Sequence, residues 1–577
     1  MQWWIISDNK VREYFFFFLF NLVYFAYSFV TFSLSYFLII PLFLLLFFVV
    51  EDKIVFCLFL IVFTTSAVIF ETKKQNSFIS NYEFFNAKGR VLSSKKGAKQ
   101  YISKVFVDEI DGQSDCILTL MTKKRLNRND EIEFFGQSRM SKKFYSFGDN
   151  FLENMRFKNE CGTIFVYEFE VLKSNPSFIE NIRQSINKTI DHADVSQNTK
   201  GIMISLILGE TGHLKHSFLE NIRNSGCAHI LAISGLHVSV ICFFIRFFVI
   251  FFVKRFRPRW LNFLEFYQAI YLISIAFVLL YVNLAGLSIS AFRSFLMFFS
   301  GGVCFLIKRK TDLASHLMLS LGFFCLLAVE NIHSISLQFS FLATFIVVKV
   351  YSRQEVFMYQ NNWAWFFRYI SASFFTSSVV SFVLAPLEAY YFNRIQLLSP
   401  IGNLLIVPVI EFIILPLSFF AVCLKSNFLM QIIEISTIFV ENVSNVISQV
   451  KFSYIRIPQI HGVLAWFLTI TILIFLVSKN KNFLMIYFSV VFLYCVQYRT
   501  PDCIFTTNGR SAVCRSRAKT HYCLIEKKDF FAISVWRKKL AKDILRCDEN
   551  FEFLKKFYNH NRYYQFGVVN GRKVKYF

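Results

Sequence analysis

The sequence lacks the motifs of several enzyme classes. No G-x-x-x-x-G-K-[ST] stretch occurs, so no P-loop ATPase is encoded. There is no H-x-H-x-D-H cluster of the metallo-β-lactamase kind, and no G-x-S-x-G nucleophile elbow, because Ala232 stands where "AISGL" would need its first glycine. The thirteen cysteines include no C-x-x-C pair, so zinc knuckles and dithiol redox motifs are absent. Acidic residues are scarce: 38 Asp and Glu face 62 Lys and Arg, a formal net charge of +24. No metal site, cofactor or enzymatic activity is expected from this pattern.

What the chain has is apolar length. Of 577 residues, 55% are hydrophobic and 76 are Phe, and the mean hydropathy is +0.46. A membrane span needs about 20 mostly apolar residues, and this chain offers many such runs. It reads as a polytopic α-helical membrane protein. The run from Tyr14 to Val50 is long enough for two short spans, and Ile54 to Phe70 for a third. No small-residue cleavage site follows a short apolar core, so a removable signal peptide is not expected.

From Glu71 to Lys200 the pattern changes to short alternating runs: "AKGRVLSS", "YISKVFVDEI", "CILTLM", "DEIEFFGQ" and "TIFVYEFEVL". Period-two alternation between turn-rich spacers predicts strands. Five of them fit an inserted small β-barrel of OB-like type. Cys116 and Cys161 fall here and are a candidate disulfide if the domain faces an oxidising compartment. Gly201 to Gly209 is too short to span. Beyond it, spans are predicted at Gly226–Val253, Phe266–Leu284, Ile289–Ile307, Leu313–Val329, Ile335–Val350, Phe366–Tyr391, Gly402–Leu424, Val463–Val477 and Leu484–Val496. Met430 to Val450 is amphipathic, suited to an interface or a lumen. The chain thus divides into N-terminal transmembrane helices at 1–70, a barrel domain at 71–175, a multi-span helical domain at 176–498 and a short basic soluble segment at 499–577. That last segment carries eighteen Lys and Arg against seven Asp and Glu, and suits an anionic lipid surface, the plainer reading, or a nucleic acid. The basic loops "KRFRPR" and "KRK" place the barrel on the outer face by the positive-inside rule.

Polar groups inside the apolar runs point to a protected path. His229, Ile233 and His237 step by four, so both histidines and Ser234 are predicted on one side of a helix. Leu231, Val238 and Ile241 take the other side. Gly226 and Gly235 allow close approach or a break. Arg293 lies mid-run, where a cation costs roughly 2.5–3.5 kcal/mol and must face protein, water or an anion. Glu388 and Glu411 are its candidate partners. Pro386, Pro400, Pro408 and Pro416 are expected to interrupt consecutive segments, a pattern tolerated where helices border a cavity. His213 and His216 have metal-pair spacing but no third ligand, and read as a surface pair. Without further information this is a channel or transporter with an outer β domain.

Four motifs then resemble the ComEC-type competence proteins. The first is Leu208, Gly209 and Glu210, followed by Gly226, His229 and the run Ile230 to His237. The second is Ala285, Gly286, Ser290, Arg293 and Met297. The third is "SISLQFSFLAT", with Leu337 in place of the usual Phe. The fourth includes Asn403, Leu404 and Pro408. They stand in family order from Gly201 to Ser478. The resemblance implies a multi-pass protein of the bacterial inner membrane that takes up single-stranded DNA during natural transformation. It implies a DNA path lined by His229, Ser234, Gly235, His237, Arg293 and Asn403, with Gly209, Glu210, Gly226, Gly286 and Ser290 as family-motif positions. The partners it implies are single-stranded DNA, membrane lipids, a cytoplasmic helicase-type ATPase, a periplasmic DNA-receptor protein and a second copy of the chain. Many family members end in a metallo-β-lactamase-like domain. This chain lacks that ligand cluster, so it is expected to be a short form without strand degradation. Two alternatives stand beside this reading: a transporter of another small anion or lipid-like substrate, and an intramembrane hydrolase using Ser234 and His237.

Overall fold

The computed structural model describes residues 84–497, apart from 98–99, 111–112, 139–159, 175, 258, 260–262, 309–311, 328–333, 354–361, 458–459, 461 and 479–480, together with six short strands between 503 and 576. The spans expected at 1–70 lie outside the described residues.

The five alternating segments form β1 (Phe84–Lys96), β2 (Tyr101–Ile110), β3 (Gln113–Thr122), β4 (Glu131–Ser138) and β5 (Glu160–Lys173). They close into a barrel of order β1-β2-β3-β5-β4, with β1 pairing back onto β4 and a parallel pairing between β3 and β5. Successive strand side chains point to opposite faces, so Val105 and Val107, Leu118 and Leu120, and Ile132 and Phe134 fill the interior with Val91 and Ile164. β3 and β5 run side by side, bringing Cys116 and Cys161 near one end of the pair. The side chains of those two cysteines lie outside the described residues.

Next comes α1 (Phe178–Asp191), capped by the Ser177 hydroxyl accepting from the Glu180 N–H. Its buried face is mostly polar, with Glu180, Arg183 and Asn187 beside the apolar Ile190. The short apolar run becomes α2 (Gln197–Leu208), capped at Ser196 and ended by Gly209. Every residue from Gly201 to Leu208 is buried, so α2 is a central pin. After α3 (His216–Asn224), a 3-10 turn at Ala228–Ile230 leads to α4 (Gly235–Phe256). The helical region continues with α5 (Leu264–Leu284), α6 (Ile289–Leu306), α7 (Leu313–Leu327), α8 (Ile335–Arg353) and α9 (Asn362–Phe392). A strand β6 (Arg394–Gln396) precedes α10 (Ser399–Val409), a π turn at Ile410–Ile414, α11 (Leu415–Leu424) and α12 (Asn427–Gln449). Strand β7 (Tyr454–Arg456) pairs with β6, and α13 (Gly462–Ser478) and α14 (Lys481–Gln497) follow. Strands β8 (Cys503–Phe505) to β13 (Arg572–Tyr576) form one six-stranded sheet.

Among the described residues, five helical stretches are long and apolar enough to cross a membrane: Gly235–Phe256, Glu265–Leu284, Ile289–Leu306, Ile370–Phe392 and Ser399–Leu424. Four shorter apolar helices accompany them. The chain is a multi-pass membrane protein with an inserted barrel. Its helices pack around three apolar clusters: one joins α7, α8, α9 and α13, one surrounds α2, and one joins α4, α5 and α6.

Three sequence expectations need correcting. The span expected from Gly226 starts at Gly235, because Gly226 turns left-handed at φ +80° and Ser234 is extended at φ −105° and ψ 172°. His229 therefore sits in the preceding 3-10 turn, and the two histidines do not share a helix face. Pro386 does not interrupt its segment but lies within the continuous 31-residue α9. Pro400 starts α10, while Pro408 and Pro416 flank the π turn. The third correction, to the surface histidine pair, belongs to the site described below. The amphipathic stretch, α12, is not among the helices long and apolar enough to span. It buries Met430, Ile433, Thr437, Val440 and Ser444, and leaves Ile435, Phe439 and Val446 exposed.

Leu118 is fully enclosed in the barrel. Leu118→Ala should cost about 2–5 kcal/mol, read as proteolysis of the barrel at lower urea. Leu92→Ala, on the barrel's exposed surface, should leave that midpoint unchanged within about 0.5 kcal/mol.

Candidate functional site

The polar residues gather in two places. The first is where the barrel meets the helices. Glu210 follows the left-handed Gly209 (φ +72°) that ends α2. Its Oε1 accepts from Arg183 Nη2 at 2.6 Å and from Arg125 Nη2 at 3.3 Å. Arg125 comes from the β3–β4 connection and also reaches Glu180 Oε1 at 3.3 Å. Arg183 donates further to the carbonyls of Leu208 and Leu284, at the ends of α2 and α5. His213 Nε2 lies 3.8 Å from Glu210 Oε2, and Lys96 Nζ lies 3.5 Å from His213 Nδ1. His213 is thus part of a buried network, whereas His216 is exposed, and the expected surface pair is not formed. A Cβ on Gly212 would stand 1.8 Å from the Lys96 carbonyl, so only glycine admits the end of β1 here.

Burial works to raise the Glu210 pKa, but the His213 hydrogen bond and the charges of Arg125 and Arg183 outweigh it and hold the carboxyl below its usual range. Lys95, beside this network, is held below its usual value first by burial and then by Arg183 and Lys104, against the pull of Glu210. Gly286, left-handed at φ +73°, faces the same corner: a Cβ there would lie 3.9 Å from Lys95 Cε and 4.0 Å from Arg183 Nη1.

The second cluster lies among the helix ends deeper in the helical region. Ser234 caps α4, its hydroxyl accepting from the N–H groups of Leu236 and His237. His237 Nδ1 in turn accepts the Ser234 N–H at 3.0 Å, a reciprocal cap. The same nitrogen lies 2.7 Å from Ser234 Oγ and 3.3 Å from Glu411 Oε1. A hydrolytic triad uses one imidazole nitrogen for the nucleophile and the other for the carboxylate. Here both crowd Nδ1, so a Ser–His–Glu relay is not assembled.

Gly235 presses on α6: a Cβ would come within 3.0 Å of Ser294 Oγ and 3.2 Å of Arg293 Nη2. Arg293 donates to Ser340 Oγ at 2.8 Å and Ser294 Oγ at 3.1 Å, and its guanidinium lies 5.7 Å from the centre of the Phe341 ring. Ser290 completes this group with a 3.0 Å hydroxyl contact to Ser340. Arg293 therefore finds hydroxyls and an aromatic face, while Glu411 turns to His237. On the other side, a Cβ on Gly226 would stand 2.5 Å from Ser399 Cβ. Asn403 donates to Ser377 Oγ at 2.7 Å and accepts from Cys227 Sγ at 3.5 Å. Burial pushes the Cys227 thiol up to about 12, which makes it inert as a nucleophile.

The structure thus brings Ser234, Gly235, His237 and Arg293 together, joins Ser290 to Arg293 through Ser340, and sets Asn403 against the Gly226 loop. His237 and Arg293 are buried, at 0% and 5% exposure. His229 keeps an exposed surface on the 3-10 turn, and burial of its ring among neighbouring atoms holds the imidazole below the usual value, against a raising hydrogen bond at Gly226. Sequence reading missed Arg125, Glu180, Arg183, Lys95 and Ser340. The Glu180-x-x-Arg183 spacing was the available signal, but it also describes an ordinary exposed helix pair. Among the described residues no cluster of three or more His, Cys, Asp or Glu could hold a metal ion.

Glu210→Gln should destabilise the docked barrel by about 3 kcal/mol, because it removes the carboxylate nearest the buried Arg183 and leaves Glu180 as the remaining anion for both arginines. Since Glu210's folded pKa is depressed, its contribution is complete above the ordinary carboxylate range and disappears as pH falls through the folded value. Protection of the barrel strands, measured as hydrogen exchange relative to the intrinsic rate at each pH, should therefore fall on acidification in the parent chain, and should be low already at neutral pH in Glu210→Gln.

Residues 206–481 match the competence protein family. The chain is also similar to recombination protein 2 of Haemophilus influenzae, 26% identical over 233 residues, covering 39% of this chain and 28% of that relative. No solved structure matches. The matched stretch holds all four motifs, Glu210 included, and it is over residues 206–481 that this multi-pass chain is similar to the competence protein family.

Proposed function

We propose that this chain is an inner-membrane channel for uptake of single-stranded DNA during natural transformation. The observation that carries the reading is the competence-family match over residues 206–481. The geometry is compatible with it. Motifs far apart in sequence meet in one polar seam, and His229 stands exposed on the 3-10 turn that leads into it. The closed barrel has the size and strand order of an OB-like domain, and such barrels commonly hold single strands. Its ring pair of Phe135 and Tyr167, 6.5 Å between centroids and both exposed, offers a stacking surface.

A polyanion crossing a bilayer needs cationic contacts in a water-filled passage. In this reading Arg293, sealed among Ser294, Ser340 and Phe341, holds the seam closed until DNA phosphate replaces the hydroxyls around it. Gly235 and Gly226 let the helices close tightly when the path is empty. The expected partners are a cytoplasmic helicase-type ATPase that pulls the strand and a periplasmic DNA-receptor protein that delivers it.

Deleting the gene should abolish entry of labelled DNA into the cytoplasm, and the intact gene should restore it. Arg293→Ala should lower import by about tenfold or more, the equivalent of losing roughly 1.4 kcal/mol at the rate-limiting contact, while DNA bound at the cell surface stays unchanged. Normal DNA entry in the deletion strain would sink the proposal. Flux of a small anion through reconstituted protein without DNA passage would favour a transporter instead.

A further inference from the structure

Two buried atoms in the helical region have no hydrogen-bond partner although their residues touch: Nε2 of His237 and Oε2 of Glu411. Both side chains are sealed, at 0% and 1% exposure, with Nδ1 and Oε1 3.3 Å apart. Nδ1 already accepts the Ser234 N–H that caps α4. A nitrogen that accepts presents a lone pair, and an ionised carboxylate is acceptor-only. With Glu411 ionised and His237 neutral with its proton on Nε2, two acceptors would face each other out of water, a costly arrangement; the Nδ1–H tautomer avoids this only by setting a donor against the Ser234 N–H that caps α4. One shared proton resolves it. It sits either on Glu411, donating to Nδ1, or on Nδ1 as an imidazolium beside a carboxylate, with the Ser234 N–H displaced.

The neighbours are few. His229 lies within electrostatic reach of His237 from the 3-10 turn. Arg293 faces the start of α4 from α6. Tyr281 of α5 lies within reach of Glu411 and donates its hydroxyl to the Leu206 carbonyl. Cys242 follows on α4 itself. None of these supplies a second carboxylate, so Glu411 is the acid that faces the ring. It is carried by a π turn between Pro408 and Pro416, where proline removes backbone donors and the helical ladder is irregular. Such a turn shifts at lower cost than a regular helix.

We propose that His237 and Glu411 form a proton-binding site that controls the seam between α4 and the π turn. The bound proton holds the two elements together. On release, one proton passes from the O–H···N bridge to water, Glu411 becomes a carboxylate, His237 stays neutral, and no other bond changes. The facing lone pairs then drive the π turn away from α4. That DNA crosses this seam rests on the channel reading above; the proton site does not.

The test is infrared difference spectroscopy of the full chain in proteoliposomes through a pH titration, with DNA import measured in parallel. The expected result is a protonated-carboxyl band that titrates, vanishes in Glu411→Gln, and shifts its midpoint by at least about one pH unit in His237→Gln, a tenfold change in proton affinity. If one variant fails to fold, the other serves, together with the 15N spectrum of labelled histidine in the parent chain, which should show one ring nitrogen titrating with the same midpoint. A Glu411 that absorbs as carboxylate throughout, or a band unchanged in both variants, overturns the site. DNA import without any Glu411 titration would overturn the proton site and leave the channel reading standing. Titration without import would uphold the site and overturn the channel reading.

Discussion

The structure depends on one buried arrangement of charge: Arg183 and Arg125 converging on Glu210. Arg183 belongs to α1, Arg125 to the barrel, and Glu210 to the end of α2. A single carboxylate therefore joins the inserted domain, the connecting helix and the central pin. Arg183 also satisfies carbonyls at the ends of α2 and α5, groups that a helix end otherwise leaves unpaired. Buried ion networks of this kind add less stability than specificity, because desolvation offsets much of the attraction. Here that specificity fixes where the barrel sits on the helices.

The architecture was largely legible in the sequence, because it follows from periodicity. Strands alternate at two, and Val105, Val107, Leu118 and Leu120 did so visibly. Apolar runs of eighteen or more announced α4, α5, α6 and the long stretch from Ser399 to Leu424. The latch was not legible. Glu180 and Arg183 look like exposed helix charges, and only the fold reveals that their face turns inward. The helical step from His229 to His237 misled for a related reason. Spacing assumes a continuous helix, and Gly226 and Ser234 break it. Arg293 was recognisable as a buried cation, but its partners were not, since Ser294 and Ser340 are common residues with no distinguishing pattern.

The four motifs gain a common physical meaning from their positions. The first supplies the capped start of α4 and the Gly226 turn. The second and third meet where Arg293 and Ser290 both reach Ser340. The fourth brings Asn403 against Cys227 and carries Glu411 to His237. Hydroxyls, a thiol, an amide and small residues dominate these contacts. Between helices in lipid, such groups permit close approach and modest hydrogen bonding. They make an interface that closes well without being held by a large apolar core.

The meeting of Gly212 with the Lys96 carbonyl carries a mechanical consequence. Backbone packs on backbone there, so a side chain at position 212 would push the end of β1 off the turn that carries Glu210. The reach of Arg125 to Glu210 is thus gauged by an atom the chain leaves out.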